Sequence, residues 1–400
     1  MSAEGVWRIE ETRVFEAHFR VSSNTALPAV PVRATIPCPP DVALEDLALT
    51  DAAGVPVACQ AVHAEQDVEL TWIAGPLLPS VDVVFRLCDG GGPASLAAGV
   101  QVIDAVPNEL GFLVAERPFT TYEFSPEHAR PYFFPVLTPS GRRVTRNYPM
   151  LDVPGETHDH VHHRSIWVAH GDVNNTDNWS EEPGHAWIRH QGFDAIWSGP
   201  VWGGFAERNL WVGPDGSTPV VAERRRVAIY AVPGGPHIMD LEVTFAAAYG
   251  EVRFGDTKEG GLASVRVATS MDGDKGGLIR TSAGGRGEAE CWGKRADWCS
   301  YTGVVAGGVV GVAILDHPRN PRHPTYWHVR DYGLMTANPF GVSYFENNRL
   351  LDGSLTVEAG AEVTFRYRLL VHDGDADAVD VAGHYAGYAS PPRVELVDGP

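Results

Sequence analysis

The chain has 400 residues, 44% of them hydrophobic, so it can bury a sizeable core in one large domain with an appendage or in two domains. Its 31 Lys and Arg against 51 Asp and Glu give a formal net charge of −20, which repels a phosphate backbone and excludes nucleic acid as an expected partner. The 43 Gly and 30 Pro are spread along the chain, as is typical of many short strands joined by tight turns.

The five cysteines are Cys38, Cys59, Cys88, Cys291 and Cys299. Their number is odd and no pair has CxxC spacing, so neither a disulfide framework nor a zinc site is expected, and a reducing cytoplasm is the predicted location. The N-terminal segment is charged throughout and has no apolar stretch, unlike a signal peptide. The longest apolar run, Val304 to Leu315, is too short to span a bilayer, so a soluble protein without a membrane partner is predicted.

Residues 5–90 contain short β-type segments separated by proline-rich turns. Val14 to Val21 and Val68 to Ile73 are predicted strands, and Ile36 to Pro40 separates neighbouring segments. The glycine-rich segment from Asp89 to Ser95 is typical of a linker. The sequence therefore predicts a β-rich accessory domain over residues 1–95 and a larger catalytic domain over residues 96–400.

From residue 100 onward the pattern is strand, turn, strand. The predicted strands are Val102 to Val106, Leu110 to Ala115, Thr120 to Phe124, Tyr132 to Leu137, Val220 to Ala231, His237 to Ala248, Gly261 to Thr269, Gly308 to Asp316, Gly341 to Phe345 and Glu362 to His372. Val304 to Leu315 predicts a strand pair that turns at Gly307 and Gly308, and the best helix candidate is Asp375 to Tyr388. We therefore predict an all-β fold, a large antiparallel β-sandwich with a small N-terminal β domain.

A stretch rich in histidine and tryptophan runs from Thr157 to Trp211. Seven of the 16 histidines lie between His158 and His190. On a strand, His158, His160 and His162 would share one face with Arg164, while His163 would point the other way. His160 and His163 are the predicted general acid or base, and Arg164 is expected to hold substrate oxygens. The two alternatives are hydrogen-bonded structural histidines and a divalent-metal site made of His158, His160 and His162.

Six of the 11 tryptophans lie between Trp167 and Trp211. Indole faces stack on the C–H surfaces of sugars, so Trp167 and Trp179 are candidate substrate-binding residues, with core packing as the alternative. Asn174 in the same stretch is a further substrate-binding candidate.

An acidic turn from Gly255 to Gly261 places three charged residues among three glycines. Asp256 and Glu259 are the best carboxylate pair in the chain for acid–base chemistry, and their separation would distinguish inverting from retaining glycoside cleavage. Lys258 is expected to lower the pKa of a neighbouring carboxylate or to bind a substrate oxygen. The alternative is an exposed polar hairpin.

A third group mixes aromatic and charged residues, which suits hydroxyl-rich ligands. Its candidate substrate-binding residues are Trp292, Lys294, Trp298 and His328. A cation–π contact between Trp292 and Lys294 is the alternative for that pair. His317 directly follows an apolar strand, at a strand end where sites often form, and is a further catalytic candidate beside the alternative of a plain loop histidine.

Several motifs together resemble one known family. They are R-P-Y-F-F-P-V at Arg130 to Val136, V-T-R-N-Y-P-M at Val144 to Met150, D-H-V-H-H-R-S at Asp159 to Ser165, G-D-T-K-E-G-G at Gly255 to Gly261, W-G-K-R-A-D-W at Trp292 to Trp298 and L-D-H-P-R-N-P at Leu315 to Pro321. Over about residues 100–390 the chain resembles a bacterial family of unknown function labelled "methane oxygenase PmoA". That resemblance implies a galactose-mutarotase-type sandwich and carbohydrate chemistry, with members encoded near sugar-catabolic genes.

The leading hypothesis is an enzyme that cleaves a glycoside or sugar derivative by hydrolysis or elimination, with a small carbohydrate as its substrate and no certain cofactor. His160 or His163 would act with Glu259 or Asp256. One alternative is a metal-dependent oxygenase or isomerase built on the histidine cluster. Another is a non-catalytic sugar-binding module. The leading hypothesis requires the histidines near position 160 and the acids near position 257 to meet.

Overall fold

A computed structural model describes residues 15–37, 42–90 and 95–398, so Cys38 lies outside the described residues. Within these ranges the chain forms twenty-seven strands and three short α-helices, and every strand pairing is antiparallel. The predicted all-β class is therefore confirmed. No helix of the described residues has both the length and the apolar character needed to cross a membrane.

The N-terminal strands build a small sandwich of two sheets. They are β1 (Glu16–Ser22), β2 (Val30–Pro37), β3 (Ala48–Asp51), β4 (Pro56–Val57), β5 (Cys59–Ala64), β6 (Asp67–Ala74) and β7 (Val83–Cys88). One sheet has the order β2-β6-β5, and the other has the order β27-β1-β7-β3-β4, with β27 spanning Arg393–Val397. Trp72 fills the space between them and contacts Phe19 and Phe85 at ring distances of 5.4 and 5.5 Å.

A large sandwich follows, made of a nine-stranded and an eight-stranded sheet. The nine-stranded sheet contains β8 (Val100–Val106), β9 (Glu109–Val114), β10 (Arg117–Glu123), β11 (Tyr132–Val136), β12 (Ile166–His170), β18 (Gly260–Arg266), β20 (Lys294–Arg295), β23 (Tyr326–Arg330) and β24 (Leu334–Asn338). Its spatial order is β20-β23-β24-β18-β12-β11-β10-β9-β8.

The eight-stranded sheet has the order β13-β14-β15-β16-β26-β22-β21-β19. Its strands are β13 (Trp187–Trp197), β14 (Trp202–Val212), β15 (Pro219–Tyr230), β16 (His237–Ala246), β19 (Leu278–Thr281), β21 (Trp298–Val305), β22 (Gly308–Asp316) and β26 (Glu362–Asp373). The remaining elements are a pair formed by β17 (Val252–Phe254) and β25 (Leu355–Val357), and the helices α1 (Gly287–Cys291), α2 (Val342–Phe345) and α3 (Val381–Ala389).

The main core lies between these two sheets. Alternate residues of each strand point inward, as in β16, where Met239, Leu241, Val243 and Phe245 are all buried. They pack against inward residues of the opposite sheet, and each buried side chain of this size stabilises the fold by about 1.5–3 kcal/mol. The predicted large antiparallel sandwich is confirmed.

The outward face of the eight-stranded sheet is also covered. A second apolar cluster joins Tyr230 and Leu370 of this face to Tyr388 of α3. The N-terminal sandwich adds polar contacts, because Gln60 Oε1 accepts hydrogen bonds from the Val201 and Trp202 amides at 3.3 and 3.0 Å. The division at residue 95 stays a prediction, and β27 from the far end of the chain completes the N-terminal sheet.

Local predictions differ from the structure where a cap or a turn decides. Gly341 to Phe345 is not a strand, because the short helix α2 forms there and the Asp256 carboxylate accepts the Ser343 amide at 3.1 Å. The β21–β22 hairpin turns at Ala306 and Gly307, one residue before the predicted position.

The predicted C-terminal helix begins later than expected. Asp375 instead accepts the Asp377 and Ala378 amides in a turn. The helix α3 starts after Asp380, whose carboxylate caps it by accepting the Gly383 amide at 2.9 Å.

Candidate active site

The outward face of the nine-stranded sheet carries a row of polar and aromatic side chains. Strand register places Tyr132 beside Trp167, Trp167 beside Ser264, Ser264 beside Thr336, and Thr336 beside His328. Because strands alternate, all five side chains lie on the same face, opposite the main core. Loops before and after these strands cover this row.

The histidine-rich segment lies on this face but is not a strand. Residues 157–165 form an irregular loop with a turn at residues 161–162, and His160 and Ser165 have φ of 41° and 58°. The prediction that His158, His160 and His162 share a strand face is therefore wrong. His158 instead stacks on Tyr148 at 4.5 Å, and the described residues contain no group of three or more His, Cys, Asp or Glu side chains arranged to hold a metal ion.

Two buried arginines explain why the segment turns. Arg146 donates to the carbonyls of Thr157 and His160 at 3.2 and 3.0 Å and also to the Asp159 carboxylate. Arg266 of β18 donates to the same Asp159 oxygen at 2.8 Å. Burial alone would raise the pKa of Asp159, but the His160 hydrogen bond and the two guanidinium groups outweigh burial and lower it. Asp159 therefore stays ionised and anchors the turn.

His160 is exposed to solvent. Its Nδ1 lies 3.1 Å from Asp159 Oδ2, and its side chain is 39% exposed. The ring stacks on Tyr332 and His163, at centroid distances of 4.9 and 4.7 Å. A carboxylate that binds one imidazole nitrogen orients the ring and leaves the other nitrogen to exchange protons. A positive φ in a residue other than glycine costs energy and is common at functional sites.

His163 lies beneath His160 and is 1% exposed. Arg266 Nη1 donates to its Nδ1 at 3.0 Å, so the proton of the neutral ring is on Nε2. Burial, with the nearby His162 and Arg266, lowers the pKa of His163 well below its usual value. His163 is therefore a neutral ring that supports His160, and its predicted role as a proton donor or acceptor stays a prediction.

The acidic turn meets the histidine segment through Glu259 and His162. Glu259 Oε1 pairs with Lys258 Nζ at 2.8 Å, and 44% of its side chain is exposed. Burial raises the pKa of Glu259, but the Lys258 ammonium and the nearby His328 and His162 lower it below its usual value overall. Burial, with the charge of Arg130, lowers the pKa of His162 to about 4. The ionised Glu259 carboxylate therefore lies close enough to the neutral His162 imidazole for each to affect the pKa of the other.

Asp256, predicted to pair with Glu259 in acid–base chemistry, instead binds backbone amides. Its Oδ2 accepts the Ser343 and Gly353 amides at 3.1 and 2.7 Å, so it fixes the segment around α2. His328 supports the acidic turn from the sheet, since its Nδ1 donates to the Lys258 carbonyl at 2.7 Å. Its Nε2 is buried without a partner among the described residues, and burial lowers the pKa of His328 to about 4.

The tryptophans predicted to stack on substrate are core residues. Trp167 and Trp179 are 1% and 2% exposed and pack on each other at 5.6 Å. Arg164, predicted to hold substrate oxygens, forms a two-pronged ion pair with Glu181 at 2.8 and 2.7 Å. The two tryptophans pack against His162 and His163, and all three side chains are occupied by packing or by a counter-charge, so the expected direct contacts with substrate are not supported.

Other predicted residues lie away from the cluster. Asn174 binds the backbone of Glu251 and Arg253, at 3.0 and 2.7 Å, and so fixes a loop. Trp298 packs in the apolar cluster on the outward face of the eight-stranded sheet, and His317 follows β22 of that sheet. Neither is brought to the histidine segment.

The remaining members of the third group adjoin the acidic turn. The Trp292 ring lies 6.4 Å from His328, and the cation over it is Arg330 at 5.5 Å instead of the predicted Lys294. Lys294 is exposed on the edge strand β20. Trp292 and His328 thus belong to the neighbourhood of Glu259, while Lys294 lies at its margin.

Sequence reasoning missed the residues that organise the site. Asp159, Arg146 and Tyr332 contact His160, and Arg266 holds Asp159, yet none was singled out as a site residue. The sequence does contain one signal for these residues, since Arg266 lies between two valines in the predicted strand at residues 261–269. A charged side chain on a buried strand needs a partner of opposite charge. The identity of that partner depends on tertiary structure.

Comparisons with known proteins give a family but no activity. No curated protein matches the chain. An alpha-mannosidase from Enterococcus faecalis V583 is similar with a TM-score of 0.42 and 10% identity, over 96% of this chain and 46% of that chain. A protein in the Glycosyl Hydrolase Family 38 from Enterococcus faecalis is similar with a TM-score of 0.39 and 12% identity, over 96% of this chain and 47% of that chain. The chain thus spans about half the length of these two structures.

The model of a family of unknown function, DUF6807, matches residues 109–386. This agrees with the predicted membership in a family of unknown function over about residues 100–390, while nothing in the match supports the methane-oxygenase label. The chain belongs to the DUF6807 family.

Proposed function

We propose that this protein is a carbohydrate-processing enzyme that cleaves a glycoside or sugar derivative, with His160 and Glu259 as its acid–base pair. The observation that carries the proposal is their arrangement on one sheet face. His160 is oriented by Asp159 on a strained turn, and Glu259 is held ionised beside Lys258. The Tyr332 ring stacks on His160, and burial together with the nearby charge of Glu259 raises the pKa of Tyr332 to about 12.

The pair is suited to proton transfer. Within the described residues, His160 Nδ1 is bound to Asp159, so Nε2 is the nitrogen available to a substrate. Glu259 is the complementary carboxylate. In hydrolysis the glycosidic C–O bond breaks, water supplies hydroxide to the anomeric carbon, and the leaving oxygen receives a proton. In elimination the base removes a proton from the carbon next to the one that bears the leaving oxygen, that C–O bond breaks, a C=C double bond forms, and the acid protonates the leaving oxygen.

Partly exposed aromatic rings favour a sugar as the substrate. Tyr332 and Tyr148 border the histidine turn, and their ring faces already stack on His160 and His158. Aromatic faces of this kind bind the C–H surfaces of sugars, while their hydroxyl groups can bond sugar oxygens. The metal-dependent alternative has less support, because His158 lies apart from His160 and His162.

The test is turnover on a panel of nitrophenyl glycosides and uronides, followed by released nitrophenol and by the ultraviolet absorbance of an unsaturated product. His160→Gln and Glu259→Gln should each lower kcat/KM by about 100-fold or more, since positioned acid–base groups contribute roughly 10²–10⁴ in rate. His63→Gln, in an exposed position of the N-terminal sandwich, is the matched control and should keep full activity.

Full activity in both site variants would overturn the assignment of the pair. Tight binding of a sugar without any product across the panel would overturn the enzymatic proposal and support a sugar-binding module. Circular dichroism of each variant separates a loss of chemistry from a loss of fold.

A further inference from the structure

A cavity lies on the outward face of the eight-stranded sheet, on the opposite side of the large sandwich from the histidine turn. It has a volume of about 380 Å³ and is bordered by β2 of the N-terminal sandwich, by β15, β16 and β26, by Gly387 and Tyr388 of α3, and by Pro391 and Pro392 after it. His317, which the candidate active site does not include, lines it. A cavity of this volume is large enough for a monosaccharide-sized ligand.

Arginines dominate the charged groups of this cavity. The four arginines in its lining are Arg33, Arg226, Arg366 and Arg368, and the two carboxylates are Asp240 and Glu242. The lining therefore carries an excess of two positive charges, although the whole chain has a formal charge of −20. An excess of cations in a part-enclosed space attracts an anion more strongly than the same charges on an open surface.

Strand register and ion-pair distances show which arginine each carboxylate of the cavity pairs with. Glu242 lies between Arg226 and Arg366 on neighbouring strands, but its ion pair is with Arg366 at 2.7 Å. Asp240 forms a two-pronged pair with Arg368 at 2.6 and 2.8 Å. Among the described residues, Arg226 thus has no carboxylate within ion-pair distance, and its guanidinium lies 5.7 and 5.6 Å from two tryptophan rings.

The opposite wall adds a second cation, Arg33. Arg33 reaches across from β2 and donates to the Tyr230 hydroxyl at 2.9 Å, while its nearest carboxylate is Glu69 at 3.6 Å. His317 contributes a neutral donor, because its Nδ1 accepts the Arg319 amide at 3.0 Å and Nε2 therefore carries the proton. Tyr388 packs edge-on against His317 at 4.9 Å.

We propose that this cavity is a binding site for the anionic group of a small polar ligand, a carboxylate or a phosphate, held between Arg226 and Arg33. Guanidinium groups bind both oxyanions through paired N–H donors. The Nε2–H of His317 and the Tyr230 hydroxyl supply hydrogen bonds to the rest of the ligand. A sugar acid and a sugar phosphate share this chemistry. The site is independent of the acid–base pair on the other sheet.

The test is isothermal titration calorimetry of the full chain with D-glucuronate and with inorganic phosphate, and with glucose as the uncharged probe. Either anion should bind with one site per chain and lose affinity as salt increases. Tighter glucuronate binding would assign a sugar acid, and tighter phosphate binding would assign a phosphorylated ligand. Absence of binding by both anions would overturn the proposal, as would glucose binding of equal strength at the same site.

Variants locate the site. Arg226→Gln should weaken anion binding by about tenfold, the usual cost of losing one charge-assisted hydrogen bond. Arg33→Gln, on the opposite wall, should weaken anion binding by a similar factor. It provides the second test if Arg226→Gln folds poorly. The matched control is Arg224→Gln, two residues along the same strand, exposed and paired with Glu362. Unchanged affinity in both cavity variants, or an equal loss in Arg224→Gln, would overturn the assignment.

A further variant separates this proposal from the proposed function. Glu259→Gln should bind the anion with unaltered affinity even if it abolishes turnover. Loss of anion binding in that variant would place the anion at the histidine turn and overturn the second site.

Discussion

The outward faces of the two large sheets bury arginines in opposite ways. On the nine-stranded sheet, Arg146 and Arg266 share one carboxylate, Asp159. On the eight-stranded sheet, Arg368 has a carboxylate of its own in Asp240. Burial and the neighbouring guanidinium lower the pKa of Arg146 to about 10, whereas on the other sheet the attraction of Asp240 outweighs burial and raises the pKa of Arg368.

This difference shows what each arrangement is suited to. A carboxylate shared by two buried cations fixes the backbone of a turn and leaves a surplus of positive charge beneath His160. One-to-one pairing across strands stabilises a sheet face and leaves surplus charge only where an arginine has no partner, as at Arg226. Under the two proposals above, the first arrangement positions side chains for chemistry, and the second leaves one cation free to bind an anion.

The largest expected effect follows from removing the shared carboxylate. Asp159→Asn removes the ion-pair partner of two fully buried guanidinium groups and should lower the free energy of unfolding by about 3–5 kcal/mol. Asp240→Asn removes the partner of only one cation and should cost about 1–3 kcal/mol. Urea unfolding of both variants measures the two costs.

An exposed pair provides the control for this comparison. Arg208 and Asp194 are both about half exposed, so Arg208→Gln should change stability by less than about 1 kcal/mol. If Asp159→Asn and Asp240→Asn lose the same stability, the sharing of one carboxylate has no special consequence and the comparison fails.

Acid should destabilise both faces through buried histidines. Burial lowers the pKa of His328 on one face and of His384 in α3 on the other to about 4, against 6.5 for an exposed ring. The unfolded chain therefore binds protons that the folded chain rejects, so stability is lost as the pH falls below about 6.5. The loss at pH 5 is roughly 2 kcal/mol for each ring.

Urea unfolding at pH 7 and at pH 5 checks this expectation. His328→Gln and His384→Gln should each show a smaller difference between the two pH values than the unaltered protein, while the exposed His63→Gln should show the same difference. A pH dependence that neither buried variant reduces would contradict it.

The smallest expected effect concerns Lys258. Its ammonium helps to lower the pKa of Glu259, so Lys258→Met should raise that pKa and move the acidic limb of the pH–rate profile to higher pH. The maximal rate should change less than the position of the limb. An acidic limb that stays in place would show that Glu259 does not control it.

Much of the fold could be predicted because its signals are local. The strand β6 covers the predicted segment Val68 to Ile73. The glycine pair Gly307 and Gly308 predicted the position of the β21–β22 turn to within one residue. The strand predicted at Gly341 to Phe345 was wrong. The aromatic composition of this segment suits a strand, while the hydrogen bond that supports the helix comes from Asp256, far away in the sequence. Local patterns do not contain such distant partners.

The site was predictable in part for the same reason. Glu259 lies near the histidine segment and its catalytic role stays a prediction, whereas Asp256 binds backbone amides and Trp167 is buried. Clustered tryptophans indicate a large aromatic surface. They do not show whether these rings are exposed on a sheet face or covered by neighbouring segments. That choice depends on the strand order β23-β24-β18-β12, which brings together segments widely separated in the chain.

The pairing of β1 with β27 has a consequence for biosynthesis. On a ribosome, β1 and β7 emerge long before residues 393–397, so one edge of β1 stays unpaired until nearly the whole described chain has been made. Until then its free amides and carbonyls are open to strand exchange with another nascent chain. A chain shortened before Arg393 would keep that open edge permanently and would be expected to associate through it.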